Sequence, residues 1–222
     1  MTRRQTPGPP PPGAPAGLRE RKKARTREAL LRAALGLFAA QGYDTTTVDE
    51  IADAVEVSQR TFFRYFANKE AAAFAVQDAI EARFLVELRQ RPAAETPFEA
   101  MRRAILIAWN AAPETAGSDD TAELRIRTYR MIESTPALLA AHMRRSVGLE
   151  RQTTLVVAER EGLDPETDPR PRVAVAAFAG VMRLTGQLWS GGRDGGLEAL
   201  AELTELHLDH LGPALSENWR AA

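Results

Sequence analysis

Cysteine is absent from this chain of 222 residues, and histidine occurs only three times. Without a thiol there is no disulfide, no thiolate nucleophile and no Cys-based zinc site. Of the imidazoles, His142, His207 and His210, only the last two lie close in sequence. Their spacing of three fits metal ligands, but near the end of a helical segment such side chains are usually solvated or interfacial, so no metal is expected. Neither a Gly-rich phosphate loop nor a serine in a nucleophile elbow occurs. The usual signatures of an enzyme are therefore missing, and neither a catalytic residue nor a cofactor is assigned. Also missing is any charge-free apolar run long enough to span a bilayer. Met1 to Gly17 contains Arg3 and Arg4 but is otherwise dominated by Pro and Gly. Lacking an apolar h-region, it is neither signal peptide nor anchor, and it cannot bury enough surface to offset its ordering entropy. A disordered tail and a cytoplasmic protein without a membrane partner are expected.

Strand alternation is absent too, and what is present is helical periodicity with charge unevenly placed. Residues 1–70 carry 12 Lys and Arg against 8 Asp and Glu, whereas residues 71–222 carry 17 against 22. The overall charge of −1 thus hides a positive N-terminal end, which favours phosphate, and a mildly acidic remainder. Within that end, Arg19, Arg21, Lys22, Lys23, Arg25 and Arg27 face Glu20 alone. Such a stretch is either a solvated helix start or an arm that follows a phosphate backbone or enters a minor groove, with Arg21, Lys22, Lys23 and Arg25 as its hands.

Thr47 to Lys69 reads as two short helices joined by a tight turn. Thr47 can cap the first, with Glu50 reaching back from three residues on, and Val48, Ile51, Ala52 and Val55 form its apolar face. Glu56 and Val57 make the turn, and Ser58 caps a second helix whose inward positions are Phe62 and Phe66. Gln59, Arg60, Thr61 and Arg64 then fall largely on the outer face. A helix that reads a major groove needs that division, with one side packed on its scaffold and N-terminal side chains at base edges. Arg pairs bidentately with guanine and Gln with adenine, so Gln59 and Arg60 have suitable chemistry at the suitable end. Before this unit, Leu30, Ala33, Ala34, Leu37 and Phe38 keep helical spacing up to Gly42, a natural C′ residue. After it, Asn68 is a further N-cap.

Arg27 to Phe38, Gly42, Tyr43, Thr46-Thr47-Val48, Ile51-Ala52, Val57-Ser58, Thr61 to Phe66 and Lys69-Glu70 follow in an order that resembles the TetR family of bacterial one-component transcription regulators. The resemblance implies an all-α fold of about nine helices, with a three-helix helix-turn-helix domain over 18–67 and a larger ligand-binding and dimerisation domain over 68–222. It implies a dimer on a palindromic double-stranded DNA operator, released by a hydrophobic small molecule. The DNA-binding set is then Arg21, Lys22, Lys23, Arg25, Thr47, Ser58, Gln59, Arg60, Thr61, Phe63, Arg64, Tyr65 and Lys69, with Gln59, Arg60 and Thr61 on bases and Thr47, Tyr65 and Lys69 on phosphates. Two departures stand out. Glu56 occupies a turn position usually held by Gly, implying slight strain or a shifted turn. Phe63 replaces a Tyr whose hydroxyl touches a phosphate, and it cannot donate that bond.

Later punctuation is helical throughout. A helix is expected from about Lys69 to Arg91, then from Thr96-Pro97 to near Pro113, from Asp120 to about Glu133, from Thr135-Pro136 to Gly162, from Asp168-Pro169 to Gly191-Gly192 and from Leu197 to Leu215. The last two are the expected homodimer elements, through the small and apolar Val173 to Met182 and a stripe of Leu200, Leu203, Leu208 and Leu211. Trp109, Tyr129, Met131, Met143, Phe178, Met182 and Trp189, with Arg183 and Gln187 among them, lie on helices that in similar proteins surround a ligand cavity. Of these, Trp109, Tyr129, Met143, Phe178, Met182 and Trp189 form the candidate ligand-binding set, although each also suits ordinary core packing. Ser134 to Leu138 and Arg183 to Trp189 also look like the subset of these regulators with an acyl-CoA-responsive C-terminal domain. An activator or an effector-independent DNA-binding protein remains the alternative.

Overall fold

The structure, a computed structural model, describes residues 17–110, 120–192 and 196–219. The tail expected to be disordered, residues 1–17, lies outside them except for Gly17. Among the described residues there are ten helices and no strand. They are α1 (Leu18–Gln41), α2 (Val48–Asp53), α3 (Gln59–Tyr65), α4 (Lys69–Ala73), α5 (Ala75–Gln90), α6 (Pro97–Asn110), α7 (Asp120–Ser134), α8 (Pro136–Glu161), α9 (Arg170–Gly191) and α10 (Leu197–Ser216). No helix among them is long and apolar enough to cross a membrane.

Local chemistry sets the boundaries. The Thr47 hydroxyl accepts the Glu50 N–H while the Glu50 carboxylate accepts the Thr47 N–H, a complete capping box. Ser58 and Asn68 accept the N–H groups of Thr61 and Ala71 in the same way. Gly42 closes α1 at φ +92° and Gly162 closes α8 at φ +64°, the left-handed region where a Cβ is strained. Pro136 begins α8, where the missing N–H costs nothing.

The helix expected from about Lys69 to Arg91 is divided into α4 and α5, and Phe74 is the cause. No Pro or Gly interrupts residues 69–91, so the periodicity reads as one helix. In three dimensions the Phe74 backbone sits at φ −89° and ψ −5° between α4 and α5. Its fully buried ring lies parallel to that of His142, with centroids 6.4 Å apart, and beneath the Arg145 guanidinium at 4.7 Å. Tertiary burial of this one ring overrides local helix propensity.

Two apolar clusters result. In the first, Leu30, Ala34, Leu35 and Phe38 of α1 close on Ile51, Phe62 and Phe66, joined by Ile132 of α7 and by Leu138 and Ala141 of α8. In the second, Phe84 and Leu88 of α5, Met101 of α6, Val156 and Val157 of α8, Val175 and Phe178 of α9 and Leu208 of α10 pack together. Each large side chain fully buried here contributes about 1.5–3 kcal/mol. Helix α8 therefore belongs to both clusters, while α7 joins the first and also packs on α5 and α9.

Candidate DNA interface and effector cavity

Helices α2 and α3 form the paired unit that the sequence predicts. Ile51 and Ala52 of α2 and Phe62 of α3 are buried, and the Phe62 and Phe66 rings lie 5.5 Å apart. The turn keeps its usual course despite Glu56, which takes φ +54°, while the Val57 N–H reaches the Ala52 carbonyl at 3.0 Å. Slight strain, rather than a shifted turn, is thus what replacing Gly produces. On the outer side Gln59, Arg60 and Arg64 are exposed, with Gln59 and Arg60 in the first turn of α3. Thr61 is half-buried and its hydroxyl sits 3.0 Å from that of Ser58, so both hydroxyls belong first to the cap. Phe63 is 48% exposed and meets Phe62 edge-on at 5.6 Å. It offers an apolar surface where a hydroxyl would otherwise stand. The Arg64 guanidinium lies 5.0 Å from the Tyr65 ring centroid and donates to its hydroxyl at 3.4 Å.

Two residues assigned to phosphates are occupied by the fold. The Lys69 ammonium donates to the carbonyls of Tyr43 at 2.6 Å and Thr46 at 2.9 Å, with that of Asp44 at 3.4 Å, and stands 4.3 Å from the Tyr43 ring centroid. Its donors tie α4 to the loop between α1 and α2, so the ammonium expected on a phosphate is engaged with the protein's own carbonyls. Thr47 gives its hydroxyl proton to Glu50 at 2.9 Å, which withdraws that proton from a phosphate. The Thr47 N–H, followed by its hydroxyl and the Gln41 amide, holds the Glu50 carboxyl below the usual carboxylate range. The basic stretch is helical. It is no extended arm, because α1 begins at Leu18 and carries Arg21, Lys22, Lys23 and Arg25 on exposed helical positions. Arg27, 5.1 Å from the Phe66 ring centroid, sets this basic half of α1 beside the end of α3.

A cavity of about 200 Å³ lies between α5, α6, α7, α8 and α9, with Leu197 and Leu200 of α10 at one side. Trp109, Tyr129, Met143, Phe178, Met182 and Trp189 all line it, and so does Arg183. Met131 instead packs on the first apolar cluster, and Gln187 is exposed on α9. The Tyr129 and Trp189 rings meet edge to face at 5.5 Å, and a Cβ on Gly186 would stand 1.8 Å from the Tyr129 oxygen. Gly186 is therefore the notch that lets Tyr129 lie against α9. Burial, with a smaller contribution from Glu133, raises the Tyr129 phenol well above its usual range.

The α5 wall, Val76, Gln77, Ile80, Glu81 and Phe84, escapes sequence reading, as does His142 on α8. Gln77 and Glu81, four apart, look like a solvated helix face, and only the crossing of α8 over α5 turns that face inward. The Gln77 amide nitrogen lies 3.0 Å from His142 Nδ1. Burial lowers the basicity of His142 and raises the Glu81 carboxyl, the latter opposed by a hydrogen bond from Gln77.

On the last two helices the stripe assigned to dimerisation faces the wrong way. Leu200 and Leu208 are buried and Leu211 packs on the second cluster, because α10 uses that side to close against α6 and α9. Only Leu203 of the four is left half-buried outside that cluster. The large apolar groups left outside are Val173, Leu184 and Leu188 of α9 and Leu206 and Leu215 of α10. His207 Nδ1 pairs with the Thr185 hydroxyl at 2.8 Å and His210 Nδ1 with the Leu206 carbonyl at 2.8 Å.

Residues 30–76 match the model of bacterial regulatory proteins of the tetR family, and residues 95–216 match that of the MftR C-terminal domain. The HTH-type transcriptional regulator TcmR of Streptomyces glaucescens is 44% identical over 204 residues, covering 92% of this chain and 90% of its own. MftR of Mycobacterium tuberculosis is 30% identical over 180 residues, covering 76% and 82%. Among solved structures, NalD, the secondary repressor of the MexAB-OprM multidrug efflux pump in Pseudomonas aeruginosa, superposes with a TM-score of 0.57 at 17% identity, covering 87% of this chain and 96% of that one. This last likeness is one of fold. The reading helix, the two family models and the extent of the match to TcmR agree: the chain belongs to the TetR family, and it is a DNA-binding transcriptional regulator rather than an enzyme.

Proposed function

We propose that this protein is a ligand-responsive repressor of the cytoplasm that binds a palindromic operator as a homodimer and leaves it when a hydrophobic small molecule fills the cavity. Gln59 and Arg60 read base edges with help from Thr61, Ser58 and Phe63, while Arg64, Tyr65 and the basic start of α1 hold the backbone. Dimerisation uses the outward sides of α9 and α10, around Leu184, Leu188 and Leu206. Residues 18–67 act as the reading domain and 68–222 as the sensing and dimerising one. An acyl-CoA is among the effector classes that the sequence resemblance implies.

The observation that carries this reading is the double duty of α7 and α8. Tyr129 and His142 line the cavity, while Ile132, Leu138 and Ala141 on the same two helices complete the core beneath the reading unit. A body that wedges those helices apart must also move α1, which packs on α7. Two half-sites read together stand about 34–36 Å apart, so a small rotation takes both reading helices out of register. Linkage then requires operator DNA to weaken the ligand by the factor with which the ligand weakens DNA binding. Calorimetric titration of a ligand with and without an operator selected from random duplexes measures both legs. Equal ligand affinity in the two titrations excludes that compound as an inducer, and a monomer by sedimentation at DNA-binding concentrations overturns the scheme.

A further inference from the structure

Inside the cavity, two carboxylates and a buried side-chain amide oxygen lie among apolar groups. Glu81 of α5 and Glu150 of α8 line it, and among the described residues neither carboxylate has an ion-pair partner. The Gln77 side-chain oxygen is buried without a hydrogen-bond partner. Cations on the surrounding helices are held elsewhere. Arg145 pairs with Asp78 and covers the Phe74 ring. Arg130 donates to the Gly192 carbonyl and lies over the outside of Trp189. Among the described residues Arg183 is the one cationic lining residue, and it is exposed. Against this polar strip of α5 stand Trp109, Phe178 and Trp189, which accept an apolar body of any charge.

An apolar enclosure holding two carboxylates and an orphan carbonyl oxygen, with the exposed Arg183 as its one cationic lining residue among those described, has a definite preference. A ligand that brings an N–H or O–H donor satisfies groups that are otherwise short of a partner. One that brings a carboxylate or phosphate places like charges together in a medium that screens them poorly. We propose that the cavity takes a lipophile whose head donates hydrogen bonds, an ammonium or a hydroxyl, to Glu81 and the Gln77 oxygen, and that it refuses an anionic head. This rests on the cavity being the effector site.

The tryptophans supply the probe. Trp109 and Trp189 line the cavity, whereas Trp219 is 79% exposed at the far end of α10, so Trp219→Phe leaves both remaining emitters in the cavity wall. The Trp219→Phe protein is titrated with dodecylammonium, dodecanol, dodecanoate and dodecanoyl-CoA, each below its micellar concentration, and emission is followed. Dodecylammonium and dodecanol are expected to change the emission, with dodecanoate and the thioester at least about tenfold weaker. Adding Glu81→Gln is expected to weaken dodecylammonium by roughly tenfold and to leave dodecanol nearly unchanged. Glu150→Gln, measured beside it, should weaken dodecylammonium several-fold and gives the same information should the Glu81 variant fail to fold. Dodecanoate or the thioester binding as tightly as dodecylammonium overturns the head-group assignment while leaving the effector cavity intact, and so does an ammonium affinity unmoved by either substitution. No change of emission with any of the four compounds removes the effector cavity itself, and the assignment with it.

Discussion

Replacing Lys69 with Met separates two roles that predict opposite results. The substitution keeps the apolar stem and removes the ammonium that donates to the Tyr43 and Thr46 carbonyls at 2.6 and 2.9 Å and faces the Tyr43 ring. A hydrogen bond from a charged group is worth about 1.5–3 kcal/mol net, and an exposed cation over a ring adds about 0.5–1 kcal/mol. The site is only half-buried, so water takes over some of the carbonyls and the expected loss is about 3 kcal/mol. For a chain of this size that lowers Tm by roughly 6–12 °C. A Lys that instead neutralised a phosphate would leave Tm nearly unchanged, and its loss would reduce the slope of log affinity against log salt by about 0.9. Thermal melting followed by circular dichroism, beside operator titrations at several salt concentrations, reads both. An unchanged Tm with a shallower salt slope would refute the engagement with these carbonyls and return Lys69 to the DNA surface.

Other expectations follow from the same geometry. Arg60→Ala is expected to cost about 1–3 kcal/mol in operator binding and to relax preference at one base pair per half-site; selection from random DNA with an unchanged preference would remove Arg60 from the readout. Neutralising Arg21, Lys22, Lys23 and Arg25 together should reduce the salt slope by about 0.9 for each phosphate that no longer meets a cation, while deleting residues 1–17 should matter little. Equal slopes before and after neutralisation would mark the basic turns of α1 as ordinary solvated helix. Gly186→Ala places a Cβ 1.8 Å from the Tyr129 oxygen and should cost about 1–3 kcal/mol in stability, with Tyr129→Phe recovering part of it. A full-stability Gly186→Ala protein by chemical denaturation would show that α7 moves freely at this point.

Much of this molecule is legible in the residues alone, because its signals are local. Thr47 with Glu50, Ser58, Asn68, Gly42, Gly162 and Pro136 act within one turn of the backbone, and each sits at the boundary that the sequence predicts. The inward pair Phe62 and Phe66 follows from helical spacing, and so does the outward display of Gln59, Arg60 and Arg64. The rest depends on which helices cross. Phe74 splits one apparent helix because its ring is claimed by His142 and Arg145, some seventy residues further along. Lys69 turns inward because the carbonyls of Tyr43 and Thr46 lie within its reach only after α4 docks on α1. The leucines of α10 are all apolar at helical spacing, and period alone cannot say which side meets its own chain and which is left for a second copy. Gln77 and Glu81 read as a wetted face until α8 lies over them. A helical pattern determines which residues share a side, and only the packing of one helix against another determines what that side touches.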